Sequence, residues 1–208
     1  MYNKINTFII RILKYLKLDL NIIYDDKFAT SELRDKNWVD KFALLIIKQI
    51  DPNSVIDFGC GTGDIIKPFE KHNIKILGID GSKSNFKYRK INSKNFKIFD
   101  LRNVYHSTSK FDLCLCLEVA EHVEEKFSTN LIQSLTESSD TIIFTAATPG
   151  QTGHDHVNLK SKKWWEQKFK NKGFHYDKKL TLNLKDKMKQ INGIQYWYID
   201  NIQIFKRK

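Results

Sequence analysis

A chain of 208 residues, 41% of them hydrophobic, is long enough to form one domain with its own core. Its three cysteines, Cys60, Cys114 and Cys116, are too few and wrongly spaced for a disulfide scaffold or a zinc knuckle, which points to a reducing, cytoplasmic setting. The net charge of +11 comes from dispersed lysines and not from one basic block, so it reads as compositional bias before it reads as a nucleic-acid footprint. No apolar run is long enough to span a bilayer, and nothing near residue 1 resembles a cleavable signal.

Ile5, Ile9, Ile12, Leu13, Leu16 and Leu20 recur at helical spacing with Lys4, Arg11, Lys14 and Lys17 opposite them, which predicts a basic amphipathic helix over residues 1–20. Such a helix caps a core or cleft, makes peripheral contact with an anionic membrane, or forms a dimer contact. Residues 21–36 are polar and read as a surface wrap or part of a lid. A second helix follows, with Trp38, Phe42, Leu45, Ile46 and Ile50 as its stripe, and Asp51-Pro52-Asn53 stops it. Residues 1–53 thus read as a cap region ahead of one compact unit over 54–208.

From Ser54 the chain alternates. Strands are predicted at Ser54 to Phe58, Ile74 to Ile79, Phe96 to Phe99, Phe111 to Leu117 and Asp140 to Ala146. Helices are predicted at Asp64 to Lys71, Ser82 to Ile91, Ala120 to Ser138 and Ser161 to Asn171, and two last strands at Phe174 to Leu182 and Ile199 to Lys206. Continuous apolar runs separated by helices argue for a mostly parallel α/β sheet covered on both faces.

The first strand runs into Asp57-Phe58-Gly59-Cys60-Gly61-Thr62-Gly63, an acid followed by three strictly alternating glycines. Glycines let the backbone fold tightly and approach a ligand where a Cβ would collide. Their spacing differs from the Gly-x-Gly-x-x-Gly of dinucleotide sites, and a carboxylate at Asp57 suits a cationic ligand. The stretch resembles the first motif of the class I S-adenosylmethionine (SAM) dependent methyltransferases. That resemblance implies a Rossmann-like seven-stranded, mostly parallel sheet with helices on both faces, whose last strand is antiparallel and inserted between strands five and six.

It also implies a cofactor site. Gly59, Cys60, Gly61 and Gly63 would cradle SAM, Asp80 with Gly81 at the end of the second strand would take the ribose hydroxyls, and Asp100 with Leu101 would take the adenine. Glu118, at the end of the fourth strand, would flank the methionine part. Carboxyl ends of strands line the crevice of open α/β sheets, so these acids should converge.

On the acceptor side, Glu118-Val119-Ala120-Glu121-His122 packs two carboxylates and an imidazole into about one helical turn. The pattern resembles ubiquinone-pathway O-methyltransferases and small-RNA 2′-O-methyltransferases, in which such groups bind a divalent ion. Many small-molecule enzymes of the class carry it without metal. The reading taken is metal-free, with Glu121, His122 and His156 as candidate catalytic groups; Glu118, Glu121, His122 and His156 form the ligand set if a divalent ion binds. After the fifth strand, Thr148-Pro149-Gly150-Gln151-Thr152-Gly153-His154-Asp155-His156-Val157-Asn158 resembles a loop of methyltransferase-domain proteins associated with glycan pathways. There a neutral His156 could take a hydroxyl proton while Asn158 fixes the loop, the substrate or the next helix. Trp164 and Trp165 read as core and cleft wall.

These readings converge on a SAM-dependent O-methyltransferase acting on a sugar, glycan or other small metabolite. RNA 2′-hydroxyl methylation with a metal is the enzyme alternative, and a non-catalytic SAM-binding partner is the alternative of another class. No Asn-Pro-Pro-Tyr-type motif follows the fourth strand, which argues against methylation of base or glutamine amino groups.

Overall fold

In a computed structural model of the chain, the described residues are 24–31, 37–153 and 155–208. The amphipathic helix expected over residues 1–20, parts of the polar wrap and His154 lie outside them. The helices are α1 (Asp26–Ser31), α2 (Trp38–Ile50), α3 (Lys67–Glu70), α4 (Lys83–Lys87), α5 (Ser128–Ser138), α6 (Lys162–Lys170), α7 (Lys178–Met188) and α8 (Tyr196–Asn201). The strands are β1 (Ser54–Phe58), β2 (Lys75–Asp80), β3 (Phe96–Ile98), β4 (Leu113–Leu117), β5 (Thr141–Thr145), β6 (Phe174–Tyr176) and β7 (Gln203–Arg207).

All seven strands join one sheet in the order β3-β2-β1-β4-β5-β7-β6. β1 to β5 are parallel, and β7 lies antiparallel between β5 and β6, as the resemblance implied. Successive side chains of a strand point to opposite faces, and both faces here are dry. Val55, Ile76, Leu115 and Ile204 pack with Trp38, Phe42 and Ile46 of α2 and with Leu184 and Met188 of α7. Ile56, Cys114, Cys116, Phe144 and Phe205 pack on the other face with Leu131 and Leu135 of α5 and Trp165 and Phe169 of α6. The three cysteines are buried free thiols. No helix among the described residues is long and apolar enough to cross a membrane.

Several predicted elements differ. The long helix from Ala120 is two short 3₁₀ turns, Ala120–His122 and Glu125–Phe127, and regular helix starts only at Ser128. The amides of Val157 and Asn158 donate to the Glu121 carbonyl, and Asn158 Nδ2 donates to the Ala120 carbonyl (3.3 Å) and to Ser128 Oγ (3.0 Å). Those carbonyls are therefore not available to a continuing helix. The strand from Phe174 ends at Tyr176, because Asp177 caps a helix with its side chain on the Leu180 amide at 2.9 Å. The strand predicted from Ile199 begins at Gln203, after α8. The helix predicted over Asp64 to Lys71 shrinks to α3, with Pro68 in its first turn, and that over Ser82 to Ile91 shrinks to α4.

Candidate active site

The carboxyl ends of β1, β2 and β4 open onto one cleft of about 700 Å³. The glycine turn forms its floor. Gly59, Gly61 and Gly63 all have φ between 56° and 88°, which only glycine adopts without strain. At Gly59 the need is doubled, since a Cβ would overlap the side chain of Val119; at Gly61 a Cβ would meet nothing within 4 Å. Asp80 holds the turn: Oδ2 accepts from the Gly61 amide (2.9 Å), and Oδ1 accepts from the Ser82 amide (2.8 Å) and Asn85 Nδ2 (3.1 Å). Burial raises the Asp80 pKa, and these three donors pull it back.

Of the cofactor residues expected from sequence, Gly59, Cys60, Gly61, Asp80, Gly81, Asp100, Leu101 and Glu118 line this cleft. Asp57 and Gly63 do not. Asp57 is buried behind the turn, where desolvation and the charge of Asp80 raise its pKa well above the usual carboxylate range. Asp100 is gripped by Arg102, whose Nε and Nη2 donate to it at 2.7–3.0 Å. The Arg102 amide also donates to Oδ1 at 3.0 Å, so Asp100 already accepts four contacts from Arg102, about what a carboxylate holds, and a ligand amine would have to share or displace one.

The facing wall carries the expected acceptor-side groups. Glu118 sits at φ 55°, a left-handed conformation that costs a non-glycine residue on the order of 1 kcal/mol. Its amide is held by Thr145 Oγ1 (2.7 Å), and Oε1 accepts from Asn201 Nδ2 (3.2 Å). Asn201 also donates to Gln151 Oε1, which takes the Thr148 amide at 2.7 Å, so the Pro149-Gly150-Gln151 turn is tied to Glu118 through one side-chain amide.

Glu121 has no exposed surface, and neither of its oxygens meets a hydrogen-bond donor. Burial, together with the charge of Glu118, lifts its pKa to about 8. A protonated Glu121 can donate to Glu118, which resolves the clash of two buried acceptors. His122 Nδ1 lies 3.1 Å from the Asp155 carbonyl and His156 Nδ1 lies 3.2 Å from the Gln151 carbonyl. A carbonyl can only accept, so both rings carry hydrogen on Nδ1 and, when neutral, a lone pair on Nε2. The rings stand edge to face with centroids 5.1 Å apart.

Ligand atoms of Glu121, His122 and His156 lie within 4.8 Å of one another. A buried carboxylate without donors beside two Nδ1-protonated imidazoles fits a small divalent cation of mixed oxygen and nitrogen preference. Glu118, the fourth member of the expected set, lies outside this group and is engaged by Asn201.

Sequence reasoning missed other lining residues. Tyr24, Arg102, Glu124 and the run Gln195 to Tyr198 all face the cleft, and no motif marks them. Tyr196 and Trp197 are its exposed aromatic surface. Trp164 and Trp165, in contrast, are not cleft wall: Trp165 packs on Phe144 in the core, and Trp164 lies between the ammonium groups of Lys160 and Lys168.

Residues 30–184 match the family model described as a methyltransferase domain. Among curated proteins, the chain is 34% identical over 76 residues to a ubiquinone biosynthesis O-methyltransferase of Rhodopseudomonas palustris, covering 34% of this chain and 30% of that protein. A protein of the same name from Pelagibacter ubique is 30% identical over 118 residues, covering 54% of this chain and 42% of the relative. The match thus spans less than half the length of these curated relatives. Among solved structures, magnesium protoporphyrin IX methyltransferase from Synechocystis PCC 6803 with bound SAH superposes with a TM-score of 0.60 at 17% identity, covering 98% of this chain and 100% of that one. A sugar N-methyltransferase from Streptoalloteichus sp. gives 0.65 at 12% identity, covering 86% and 91%.

Proposed function

The chain belongs to the class I SAM-dependent methyltransferases, and we propose that it transfers a methyl group to a hydroxyl of a small acceptor such as a sugar, a glycan or another small metabolite. One observation carries the reading. A single cleft holds the glycine turn, Asp80 and Asp100 on one side and Glu121, His122 and His156 on the other. Bound SAM supplies an electrophilic methyl on a positively charged sulfur.

The residues of the chain do the rest. Asp80 fixes the turn that receives the cofactor, and Asp100 and Leu101 border the place expected for its base. Nε2 of His156, with His122 beside it, is placed to take the proton of an acceptor hydroxyl offered to the methyl group of SAM held there. Most of the acceleration comes from alignment, because a sulfonium is already a good leaving group. The exposed rings of Tyr196 and Trp197 offer flat apolar faces to a cyclic acceptor. The name of the curated relatives, with O-methylation in it, supports a hydroxyl target.

A second reading rests on Glu121. Its donor-less oxygens beside His122 and His156 favour a divalent cation there, which would orient an acceptor hydroxyl and lower its pKa.

Calorimetry with SAM, followed by methyl-labelled SAM offered with glycan and small-molecule hydroxyl fractions, tests the main reading. Wild-type protein binds SAM, and Asp80→Ala, which removes the acceptor for three donors, weakens binding by about ten- to a hundredfold. Absence of SAM binding by the wild type sinks the proposal, and label found only in nucleic acid replaces the acceptor.

A further inference from the structure

Tyr24 reaches the cleft from the segment ahead of α1 and touches both halves of the site. Its carbonyl accepts from Ser82 Oγ at 2.9 Å, and Ser82 is the residue whose amide holds Asp80. Its phenol donates to Asp155 Oδ2 at 2.9 Å. The ring lies edge to face with His122, centroids 6.5 Å apart. Asp155 in turn is the residue whose carbonyl accepts from His122 Nδ1.

Asp155 is not a relaxed loop residue. It is buried at φ 60°, a left-handed conformation uncommon for non-glycine residues, though aspartate adopts it more readily than most, and contacts to its side chain favour it further. The Tyr24 hydroxyl supplies a hydrogen bond to a charged acceptor, the stronger kind, from a half-buried phenol that desolvation and the Asp155 charge keep protonated. If the side-chain anchor from Tyr24 is lost, the Asp155 backbone can leave its left-handed conformation, the carbonyl is re-aimed, and His122 loses this partner at Nδ1.

We propose that Tyr24 is a positioning residue for His122: through Asp155 it fixes the tautomer and aim of the imidazole, and through Ser82 it links that setting to the loop that holds the cofactor turn. It deepens the methyl-transfer reading, on which it rests only for what the imidazole does and not for how it is held. A hydrogen-bond chain then runs from the Gly61 amide through Asp80, Ser82, Tyr24 and Asp155 to His122, joining the donor and acceptor halves without passing through the sheet.

Nitrogen chemical shifts of ¹⁵N-histidine-labelled full-length protein, in chelator-treated neutral buffer, read the tautomer without needing an acceptor. Wild-type His122 shows the Nδ1–H form. In Tyr24→Phe, which deletes one oxygen and keeps the ring, the ratio of Nδ1–H to Nε2–H at His122 falls about tenfold, the loss of one net hydrogen bond to a charged group. Asp155→Asn tolerates the left-handed backbone, still accepts from Tyr24 and keeps the wild-type ratio, whereas Asp155→Gly permits that backbone but has no side chain for Tyr24 to anchor, so the carbonyl is no longer held in place and the variant behaves like Tyr24→Phe. His106, exposed and paired with Glu137, stays unchanged throughout. An unaltered His122 tautomer in Tyr24→Phe overturns the proposal, and so does an equal disturbance of His106, which would mark general loosening. SAM calorimetry on the same samples separates the two ideas: a wild type that binds no SAM defeats the methyl-transfer reading and leaves the tautomer result standing.

Discussion

Glu121 is where single-residue chemistry decides between two ways of running this site. At neutral pH a carboxyl whose pKa lies at about 8 is mostly protonated, and in that state it donates to Glu118 and needs nothing else. With a divalent cation present it would give up that proton and bind the ion with His122 and His156. Glu121→Gln mimics the protonated acid and cannot mimic the ligand. We expect the variant to melt within a degree or two of wild type without metal and to bind SAM as well. In Mn²⁺ at about a hundred times the dissociation constant, wild type should gain about 2.7 kcal/mol while the variant gains none. Thermal denaturation with and without Mn²⁺ reads this directly, and no shift in the wild type removes the cation reading. The acids and imidazoles of this site were legible because chemistry concentrates them in short motifs. Tyr24 and Glu124 were not, since a single tyrosine or glutamate carries no spacing signal until the fold brings it to the cleft. Asp57 differs from the rest of the motif: its position implies a cofactor contact, and the structure places it buried behind the glycine turn, off the cleft lining.

Elements were legible where one periodicity ruled. β1, β2, β4 and β5 are short apolar runs with turns at both ends, and α2 and α6 carry clean stripes. α7 misled because Leu180, Leu182 and Leu184 alternate as a strand would, while Leu180, Leu184 and Met188 also repeat every fourth residue. The Asp177 cap settles the competition in favour of helix and leaves Leu182 half exposed. α5 misled because its stripe continues upstream through Val123 and Phe127, and only the distant Asn158, bonded to Ala120 and Ser128, interrupts it. α1 shows how a short element is held by its partners: Asp26 accepts from Lys87 Nζ at 2.5 Å and from Ser84 Oγ at 2.7 Å, both on α4. Lys87 first, then Ser84, lowers the Asp26 pKa below its ordinary 3.8. A carboxylate with a depressed folded-state pKa stabilises at pH above its unfolded value, and that contribution is lost as pH falls through the folded one. Hydrogen exchange of the α1 amides, corrected for intrinsic rates, should therefore accelerate as pH drops below about 4, whereas Asp26→Asn should show fast exchange at every pH. Equal protection in the two proteins at neutral pH would mean that packing and not this ion pair docks the helix.

For the molecule as a whole, the sign of the net charge and the sign of the cleft are opposite. The chain carries +11, yet the described residues lining the cleft include Asp80, Asp100, Glu118 and Glu124, with Glu121 mostly protonated beside them and Asp64 paired with Lys90, against the single guanidinium of Arg102, which is already paired with Asp100. Focused negative potential in a partly dry cleft attracts a sulfonium, an ammonium or a divalent cation and repels phosphate. Described lysines such as Lys71, Lys87, Lys110 and Lys189 stand on the outer surface, where they can hold a polyanion only in a screened, sequence-independent way. An oligoribonucleotide bound there by about six phosphate contacts should lose about a thousandfold in affinity between about 50 and about 200 mM salt. Saturating SAM should not displace it, and no label should pass from SAM to the RNA. Fluorescence anisotropy across a salt series, with and without SAM, together with a transfer assay on the same oligonucleotide, measures all three. Competition with SAM, or label in the RNA, would mean that a cation neutralises the cleft and admits a ribose beside its phosphates. The metal reading of Glu121 and the RNA alternative would then stand together, which is why the Mn²⁺ melt and the salt series belong in one experiment.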